Sequence, residues 1–172
     1  MTNSNPLNMS GVLDMVTVSA EYCVYLEKLR TAGTEREDFL KKITMVLPLI
    51  YVKASLLPEL EEQGLDDLQE IVTEEDYEDV RQNVWNLLRA DDEYLEVFTP
   101  DMQYSEGPMM ATISEDLADI YQDLKNFVAA FAEQNEITIN DAIIKVKENF
   151  ANYWGQKLVN AMRALHELRY KS

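Results

Sequence analysis

Three carboxylates recur at a four-residue spacing in the second half of the chain. Glu115, Asp119 and Asp123 would stack along one flank of a helix, and Asp116 lies close to the same flank. Oxygen ligands grouped in this way are those that Mg²⁺, Ca²⁺ or Mn²⁺ prefers in proteins. The competing interpretation is a solvated helix face, because Glu115 also stands where a helix-capping acid belongs. We favour the solvated face and keep a divalent-cation site as an alternative.

Other arrangements that could support catalysis are weaker. A carboxylate-bridged iron or manganese centre in a bundle requires Glu followed three residues later by His on two helices. The chain has a single histidine, His166, and position 163 is Arg163. The place of His166 near the end of a predicted helix is explained by the attraction between a cation and the helix dipole. The sequence therefore indicates no catalytic residue and no cofactor, and it favours a non-enzymatic protein.

Cys23 is the single cysteine, so an internal disulfide is impossible. Its apolar neighbours Ala20 and Val24 predict a buried thiol, which agrees with a reducing compartment. Residues 1–9 are polar and lack the apolar run of a signal peptide or a membrane span. We therefore expect a cytoplasmic protein whose residues 1–9 are disordered or loosely held.

An unusual cluster, Tyr153, Trp154, Gly155 and Gln156, lies inside the last predicted helix. A glycine inside a helix costs about 1 kcal/mol relative to alanine, so another interaction should offset the loss. One interpretation is the close approach of another helix over Gly155, with Trp154 in the core. The alternative is a small-ligand pocket near the last two helices, lined by Tyr121, Tyr153, Trp154 and Gln156.

Negative charge is concentrated in the middle of the chain. Of the 32 Asp and Glu residues, 21 lie in residues 54–124, which contain two of the 15 Lys and Arg residues. Such a region repels nucleic acid and membrane surfaces and attracts cations or basic protein surfaces. We therefore expect no nucleic-acid or membrane partner. The expected partner is a protein with a basic surface, contacted through residues such as Asp91, Asp92, Glu93 and Asp116.

The elements that must position these residues are predicted to be helices. Four Thr residues are each followed three positions later by an acid, which is the arrangement of a capping box. The pairs are Thr34 with Glu37, Thr73 with Asp76, Thr112 with Glu115, and Thr138 with Asp141. Each pair precedes apolar residues at helical spacing. The predicted fold is all-α: a single-domain antiparallel helical bundle of about six helices, with a long C-terminal helix, covering residues 10–172.

Apolar periodicity gives the helix boundaries. Predicted helices cover residues 10–30, 35–57, 74–90, 113–134 and 139–170, with a short acidic helix or two within 59–72. Pro48 should kink the second helix, and the last one is expected to bend or project near Gly155. The acids at 91–93 are predicted to open a further helical turn, and residues 99–111 are predicted to form a loop.

Four segments carry a resemblance to a known family. They are LPLIYVKASLLPEL at 47–60, DDEYLEVF at 91–98, ISEDLADIYQDLKNFV at 113–128 and YWGQKLVNAMRALHEL at 153–168. In these segments the chain resembles the bacterial family catalogued as domain of unknown function 5063, and the similarity covers nearly the whole chain. The resemblance implies a small helical protein with no assigned activity, cofactor or catalytic residue. It supports the predicted fold and adds no site.

The function that the sequence favours is a protein-interaction module whose acidic surface, residues 59–96 with 115–123, docks on a basic partner. Charge complementarity of this kind speeds encounter more than it deepens affinity. Two alternatives stay open. One is a small-ligand-binding protein or an enzyme with a pocket near the last two helices, and the other is a divalent-cation binder at the acidic helix flank. The oligomeric state does not follow from the sequence.

Overall fold

The computed structural model describes residues 5, 9–64, 68–96, 103–104 and 106–171. Within them lie six α-helices and one pair of short antiparallel strands. The helices are α1 Ser10–Lys28, α2 Arg36–Ser55, α3 Glu74–Leu88, α4 Ile113–Ala132, α5 Glu136–Asn149 and α6 Gly155–Tyr170, and the strands are β1 Glu93–Leu95 and β2 Met110–Thr112. The predicted all-α bundle of about six helices is confirmed. Most of the predicted loose N-terminus lies outside the described residues.

Helix α4 forms the centre of the bundle, because it packs against α1, α3, α5 and α6. Its apolar residues recur at helical spacing and are fully or almost fully buried: Ile113, Leu117, Ile120, Leu124 and Phe127. This spacing gives one continuous apolar side, which is what buries a helix against its neighbours. Tyr22 of α1 reaches into the same region, where its hydroxyl donates to the Leu117 carbonyl at 2.7 Å.

The long C-terminal helix is also confirmed, with an interruption close to Gly155. Helices α5 and α6 are joined by a π-helical turn, Phe150–Trp154. Trp154 is fully buried, as predicted. Gly155 is buried, and the nearest atom that a Cβ there would meet is the carbonyl oxygen of Phe150, one turn earlier, with which it would clash. The close contact within its own helix explains the glycine, and the predicted approach of another helix over Gly155 stays a prediction.

Of the four predicted capping boxes, the one at Thr73 is confirmed in full and the one at Thr112 in part. The Thr73 hydroxyl accepts from the Asp76 amide at 3.1 Å, and the Asp76 carboxylate accepts from the Thr73 amide at 2.9 Å. The Thr112 hydroxyl accepts from the Glu115 amide at 3.3 Å. Both residues therefore satisfy amides that the first turn of a helix leaves without an intrahelical acceptor.

The other two predicted caps are wrong. Helix α2 begins after Glu35 and has no side-chain cap, so Thr34 lies one residue too early. Helix α5 begins three residues earlier than predicted, because the Asn135 side chain accepts from the amides of Ile137 and Thr138. Asn and Thr are both good N-cap residues, and the first one along the chain takes the role here.

The acidic helix predicted within residues 59–72 is wrong for the part that the structure describes. Residues 57–64 and 68–73 have irregular backbone, and Gly64 has a φ of +90° that a helix cannot contain. Side chains of the neighbouring helices replace the missing intrahelical bonds. The Asn140 amide donates to the Glu61 carbonyl at 2.8 Å, and the Asn126 side-chain oxygen accepts from the amides of Ile71 and Val72.

The helical turn predicted after Ala90 is also wrong. A 3₁₀ turn ends at Asp92, and Glu93–Leu95 then pairs with Met110–Thr112 in antiparallel register. Of the predicted loop at 99–111, residues 99–102 and 105 lie outside the described residues, residues 103–104 and 106–109 belong to none of the helices and strands named above, and the last two positions belong to β2. In the described part of the chain, no helix is both long enough and apolar enough to cross a membrane.

Candidate functional site

A buried polar network connects α4 to a strand and to the last helix. Its centre is Asp116 of α4, whose side chain is 2% exposed. The Tyr94 hydroxyl of β1 donates to one carboxylate oxygen, Oδ2. The Lys157 ammonium of α6 lies 3.4 Å from the other, Oδ1. Both oxygens of this buried carboxylate therefore have partners from outside α4.

Asp119 extends the network by one helical turn. Its Oδ2 lies 3.0 Å from the Lys157 ammonium, and its Oδ1 accepts from the Tyr77 hydroxyl of α3 at 2.9 Å. The Tyr153 ring lies beside the same ammonium, at 5.3 Å from ring centroid to Nζ. Lys157 thus binds two carboxylates that are adjacent on α4, and the network joins α3, α4, β1 and the C-terminal helix.

Burial dominates the electrostatics of this network. It raises the pKa of Asp116 to about 6, against the opposing effects of the Tyr94 hydrogen bond and the Lys157 charge. Burial alone would lower the pKa of Lys157, but the hydrogen bond to Asp119 and the charge of Asp116 outweigh it and raise that pKa. Burial also raises the pKa values of Tyr77 and Tyr94, so these hydroxyls stay protonated and donate.

The network is suited to holding elements together rather than to catalysis. Asp116 has a pKa near the range of a general acid or base, yet its two oxygens are already bonded and almost no surface is accessible. A substrate could reach it only by displacing Tyr94 or Lys157. We therefore interpret the network as a structural connection between helices.

The raised pKa of Asp116 predicts a pH dependence of stability. Its pKa in the unfolded chain is about 3.9, so folding favours the protonated carboxyl. This contribution is complete below the unfolded-state pKa and is lost as pH rises through the folded-state value of about 6. We expect Asp116 to add about 1 kcal/mol to the free energy of unfolding at pH 5 relative to pH 7.

Urea unfolding of wild type and Asp116→Asn at both pH values would measure this contribution. We expect the wild type to gain about 1 kcal/mol more than the variant on going from pH 7 to pH 5. Ionisable groups that do not interact with Asp116 change protonation alike in both proteins, so their effects cancel in the difference. Equal pH dependence in the two proteins would show that Asp116 has an ordinary pKa in the folded state.

The residues predicted to contact a partner divide into two groups. Asp91 and Glu93 are exposed, and Asp91 forms an ion pair with Arg36 at 2.7 Å. Asp92 is 1% exposed and accepts from the backbone amide and the hydroxyl of Ser114, at 2.7 and 2.6 Å. Asp92, like Asp116, is therefore not available to a partner, because its carboxylate is used inside the fold near the start of α4.

The three carboxylates considered as metal ligands have separate roles. Glu115 is exposed and accepts from the Thr112 hydroxyl at 2.9 Å, whereas Asp119 belongs to the buried network. Asp123 accepts from the Asn149 amide at 2.6 Å. In the described part of the chain, no three His, Cys, Asp or Glu side chains are grouped so that they could hold a metal ion.

A cleft of about 250 Å³ lies between α4, α5 and residues 68–70. Its apolar lining includes Phe127 and Val146, and its polar lining includes Asp123, Asn149 and Tyr153. Burial raises the pKa of Asp123, partly offset by the hydrogen bond from Asn149. The cleft therefore combines an apolar wall with a carboxylate in a partly desolvated position, and Tyr153 connects it to the buried network.

The residues predicted to line a pocket are dispersed, and Tyr153 is the one that lines this cleft. Tyr121 faces α1, where its hydroxyl donates to Glu27 Oε1 at 2.8 Å. Trp154 is in the core, and Gln156 is exposed with its amide donating to Asn160 at 3.2 Å. Of the four predicted residues, Tyr153 therefore lines a cleft, and ligand binding there stays a prediction.

Two other residues singled out in the sequence are explained by the fold. Cys23 is buried, as predicted, and burial raises the pKa of its thiol to about 12. A thiol in this state is a weak nucleophile, because the thiolate is the reactive form. His166 is exposed, with its ring 4.7 Å from that of Tyr170.

Lys157, Tyr94 and Tyr77 were not identified as site residues from the sequence. One usable signal was the position of Asp116, which follows Ile113 by three residues and precedes Ile120 by four. Those spacings place the carboxylate on the apolar side of α4. A buried acid requires a partner, and the sequence did not show that Lys157 would be that partner.

The fold and the network define a small all-α bundle protein whose central charged residues are structural. The chain belongs to the family described as domain of unknown function DUF5063, whose model matches residues 9–171. This match confirms the resemblance noted in the sequence.

One solved structure is similar over nearly the full length of both chains. It is the crystal structure of protein BF1032 from Bacteroides fragilis, which is 40% identical in sequence and has a TM-score of 0.85. The alignment covers 98% of each chain. No curated protein matches the chain.

Proposed function

We propose that this protein is an interaction module that docks on a basic surface of a partner protein through its acidic segment, residues 59–79. The observation that supports this proposal is the exposure of the acidic side chains of the segment to solvent. All nine described acids of the segment are exposed: Glu59, Glu61, Glu62, Glu70, Glu74, Glu75, Asp76, Glu78 and Asp79. The segment contains no Lys or Arg that could neutralise them locally.

Cations from other parts of the fold neutralise a minority of these charges. Within the described residues, Glu59 pairs with Lys147, Glu70 with Lys145 at 3.0 Å, and Glu78 with Arg81 at 2.5 Å. The carboxylates in these pairs are more than half exposed, so a partner's cation could compete for them. The other six acids form no ion pair with any described residue.

In the described part of the segment, side chains of neighbouring helices hold the irregular backbone on which several of the acids lie. Asn140 and Asn126 bind the backbone of residues 61, 71 and 72, and the capping box at Thr73 fixes the start of α3. A charged surface that is ordered before binding loses less entropy on association than a disordered one. Such a surface would increase the association rate with a basic partner.

Capture of partners from a bacterial lysate would test the proposal, using Glu75→Gln with Asp79→Asn as the altered protein. Each exposed charge contributes about 0.5 kcal/mol, so we expect about fivefold weaker retention of the captured proteins. The control, Glu21→Gln with Glu148→Gln, removes two exposed acids from other helices. Partners should also be released in moderate salt. Retention that is equal in both variants, or that survives high salt, would contradict docking through this segment.

A second candidate function is supported by the cleft. Its volume of about 250 Å³ is slightly below the usual range for ligand sites, so it suits only a small molecule. A carboxylate beside an apolar wall fits a small amine with a hydrocarbon chain. Glu70 and Asp123 provide two negative charges, and Lys145 provides one positive charge. We propose small cationic amines as the ligand class for this site.

Thermal unfolding with n-butylammonium and with n-butanol would test the second candidate. We expect the amine to raise the midpoint more than the alcohol, because only the amine can pair with Asp123. The difference should vanish in Asp123→Asn and persist in Asp79→Asn, which removes an equivalent charge outside the cleft. Equal shifts with the two compounds would contradict amine binding.

A further inference from the structure

Helix α2 carries an apolar stripe on the side that faces away from the core. Its core side holds Ile43, Leu47, Ile50 and Ala54, which are fully buried. On the opposite side the exposed fractions are 55% for Met45, 46% for Leu49, 51% for Val52 and 66% for Leu56, which is the C-cap residue directly after the end of α2. We call these four residues the outer stripe. Because α2 is apolar on both sides, folding of a single chain buries one side and leaves the other in water.

The spacing of the outer stripe is that of a helix-pairing seam. Successive members are separated by four, three and four residues, which is the a and d pattern of a heptad. The order of these separations is the same from the N-terminal end and from the C-terminal end. In an antiparallel pair of identical helices, Met45 would therefore meet Leu56 of the other copy, and Leu49 would meet its Val52.

We propose that the outer stripe is the interface of a homodimer, in which the α2 helices of two copies pack antiparallel about a two-fold axis. Such an interface is isologous, since the same four side chains line it in each copy. Apolar side chains on this surface do not stabilise the monomer, because they stay in contact with water. A contiguous group of them is typical of an interaction site.

Charge favours this helix as the contact between copies. The whole chain has a formal charge of −17, so most surfaces of two copies repel each other. Helix α2 is less negative than the chain as a whole, because it has four basic residues, Arg36, Lys41, Lys42 and Lys53, against two acids. Arg36 and Lys53 are paired with Asp91 and Asp14, which leaves Lys41 and Lys42 as its cations without an ion pair among the described residues. Two such molecules repel each other less at a face that is not strongly negative.

Charge also favours the antiparallel direction. A parallel pair would place Lys41 and Lys42 of the two copies at the same level, where their charges would repel. In the antiparallel pair these lysines lie near the C-terminal end of the other α2, where the helix dipole favours cations. The interface consists of one helix from each copy, so we expect a weak dimer whose population depends on protein concentration.

Sedimentation velocity of the purified full chain over a range of concentrations is the first test. We expect the wild type to shift from monomer to dimer as its concentration rises. The Leu49→Glu variant should stay monomeric, because dimerisation would bury one carboxylate from each copy in the interface without a cation. The control is Ile137→Glu on α5, which replaces a side chain that is also 46% exposed and should dimerise like the wild type. A wild type that is monomeric throughout, or a dimer that survives Leu49→Glu, would overturn the proposal.

Cysteine cross-linking tests the register independently. The double variant Leu49→Cys with Val52→Cys places thiols at positions that meet across the proposed two-fold axis, so mild oxidation should give a covalent dimer. The matched double variant Met45→Cys with Leu49→Cys exposes two thiols that do not meet each other, and it should cross-link much less. Native Cys23 is buried and should not contribute. Equal cross-linking of the two variants would overturn the antiparallel register.

Discussion

Replacement of Lys157 by methionine is expected to lower the free energy of unfolding by about 3 kcal/mol at pH 7. The substitution keeps the length and most of the apolar contacts of the side chain but removes the ammonium. Asp116 and Asp119, whose side chains are 2% and 14% exposed, would then be adjacent carboxylates without a cation between them. Removing one member of a buried pair is costly because the remaining charge stays desolvated.

Urea unfolding can separate this effect from a general loss of charge. Lys145→Met removes the lysine of the Lys145–Glu70 pair, whose side chains are 44% and 60% exposed, and should cost less than about 1 kcal/mol. Adding Asp116→Asn to Lys157→Met should recover part of the lost stability, since one uncompensated charge is removed. A cost for Lys157→Met as small as that for Lys145→Met would mean that the carboxylates do not depend on this cation.

The pH dependence of the same variant provides a further check. Without the ammonium, the pKa of Asp116 should rise further, because the charge of Lys157 opposes the effect of burial. Protonation of Asp116 then removes more of the destabilisation as pH falls. We therefore expect the destabilisation by Lys157→Met to be smaller at pH 5 than at pH 7.

Replacement of Gly155 by alanine is the second large expected effect, a loss of about 3 kcal/mol in the free energy of unfolding. The added Cβ would clash with the carbonyl oxygen of Phe150 and would lie 2.9 Å from an atom of its ring. Neither can move easily, since the carbonyl accepts from the Gly155 amide and the ring packs between Tyr51 and Trp154. The π-helical turn must therefore distort or revert to α-helix.

Gly11→Ala is the matched control for this prediction. Gly11 lies inside α1, and a Cβ there would meet its nearest neighbour, the Leu56 carbonyl oxygen, at 3.9 Å. This substitution should raise stability by about 0.5 kcal/mol, because alanine is the better helix former. If Gly155→Ala also raised stability in thermal and urea unfolding, the π-helical turn would not depend on glycine.

The π-helical turn has a consequence for the candidate sites. It contains Tyr153, which lines the cleft and lies beside Lys157, and it follows Asn149, which donates to Asp123. Single π-helical turns often occur at functional sites, because they change which side chains face a neighbouring helix. Gly155 therefore determines how the C-terminal helix presents these side chains to α4.

The sequence predicted helices most reliably where apolar periodicity was long. Helices α1, α2 and α4 end within two residues of their predicted boundaries, since each buries one continuous apolar side. Prediction failed within residues 59–72 and after Ala90. In those regions the backbone N–H and C=O groups form hydrogen bonds with residues far along the chain. Their partners are side chains such as Asn126 and Asn140, or the other strand in the pair of β1 with β2. A local pattern does not reveal partners that are far along the chain.

The sequence by itself determined that this protein is an all-α bundle with an excess of negative charge in its middle, because periodicity and composition are local properties of the chain. The tertiary structure alone decided which acids are used internally. Asp116 is buried because Tyr94 and Lys157, which lie 22 and 41 residues away, reach its two oxygens. A carboxylate enters a protein core when its charge is compensated there, and that compensation depends on which helices become neighbours.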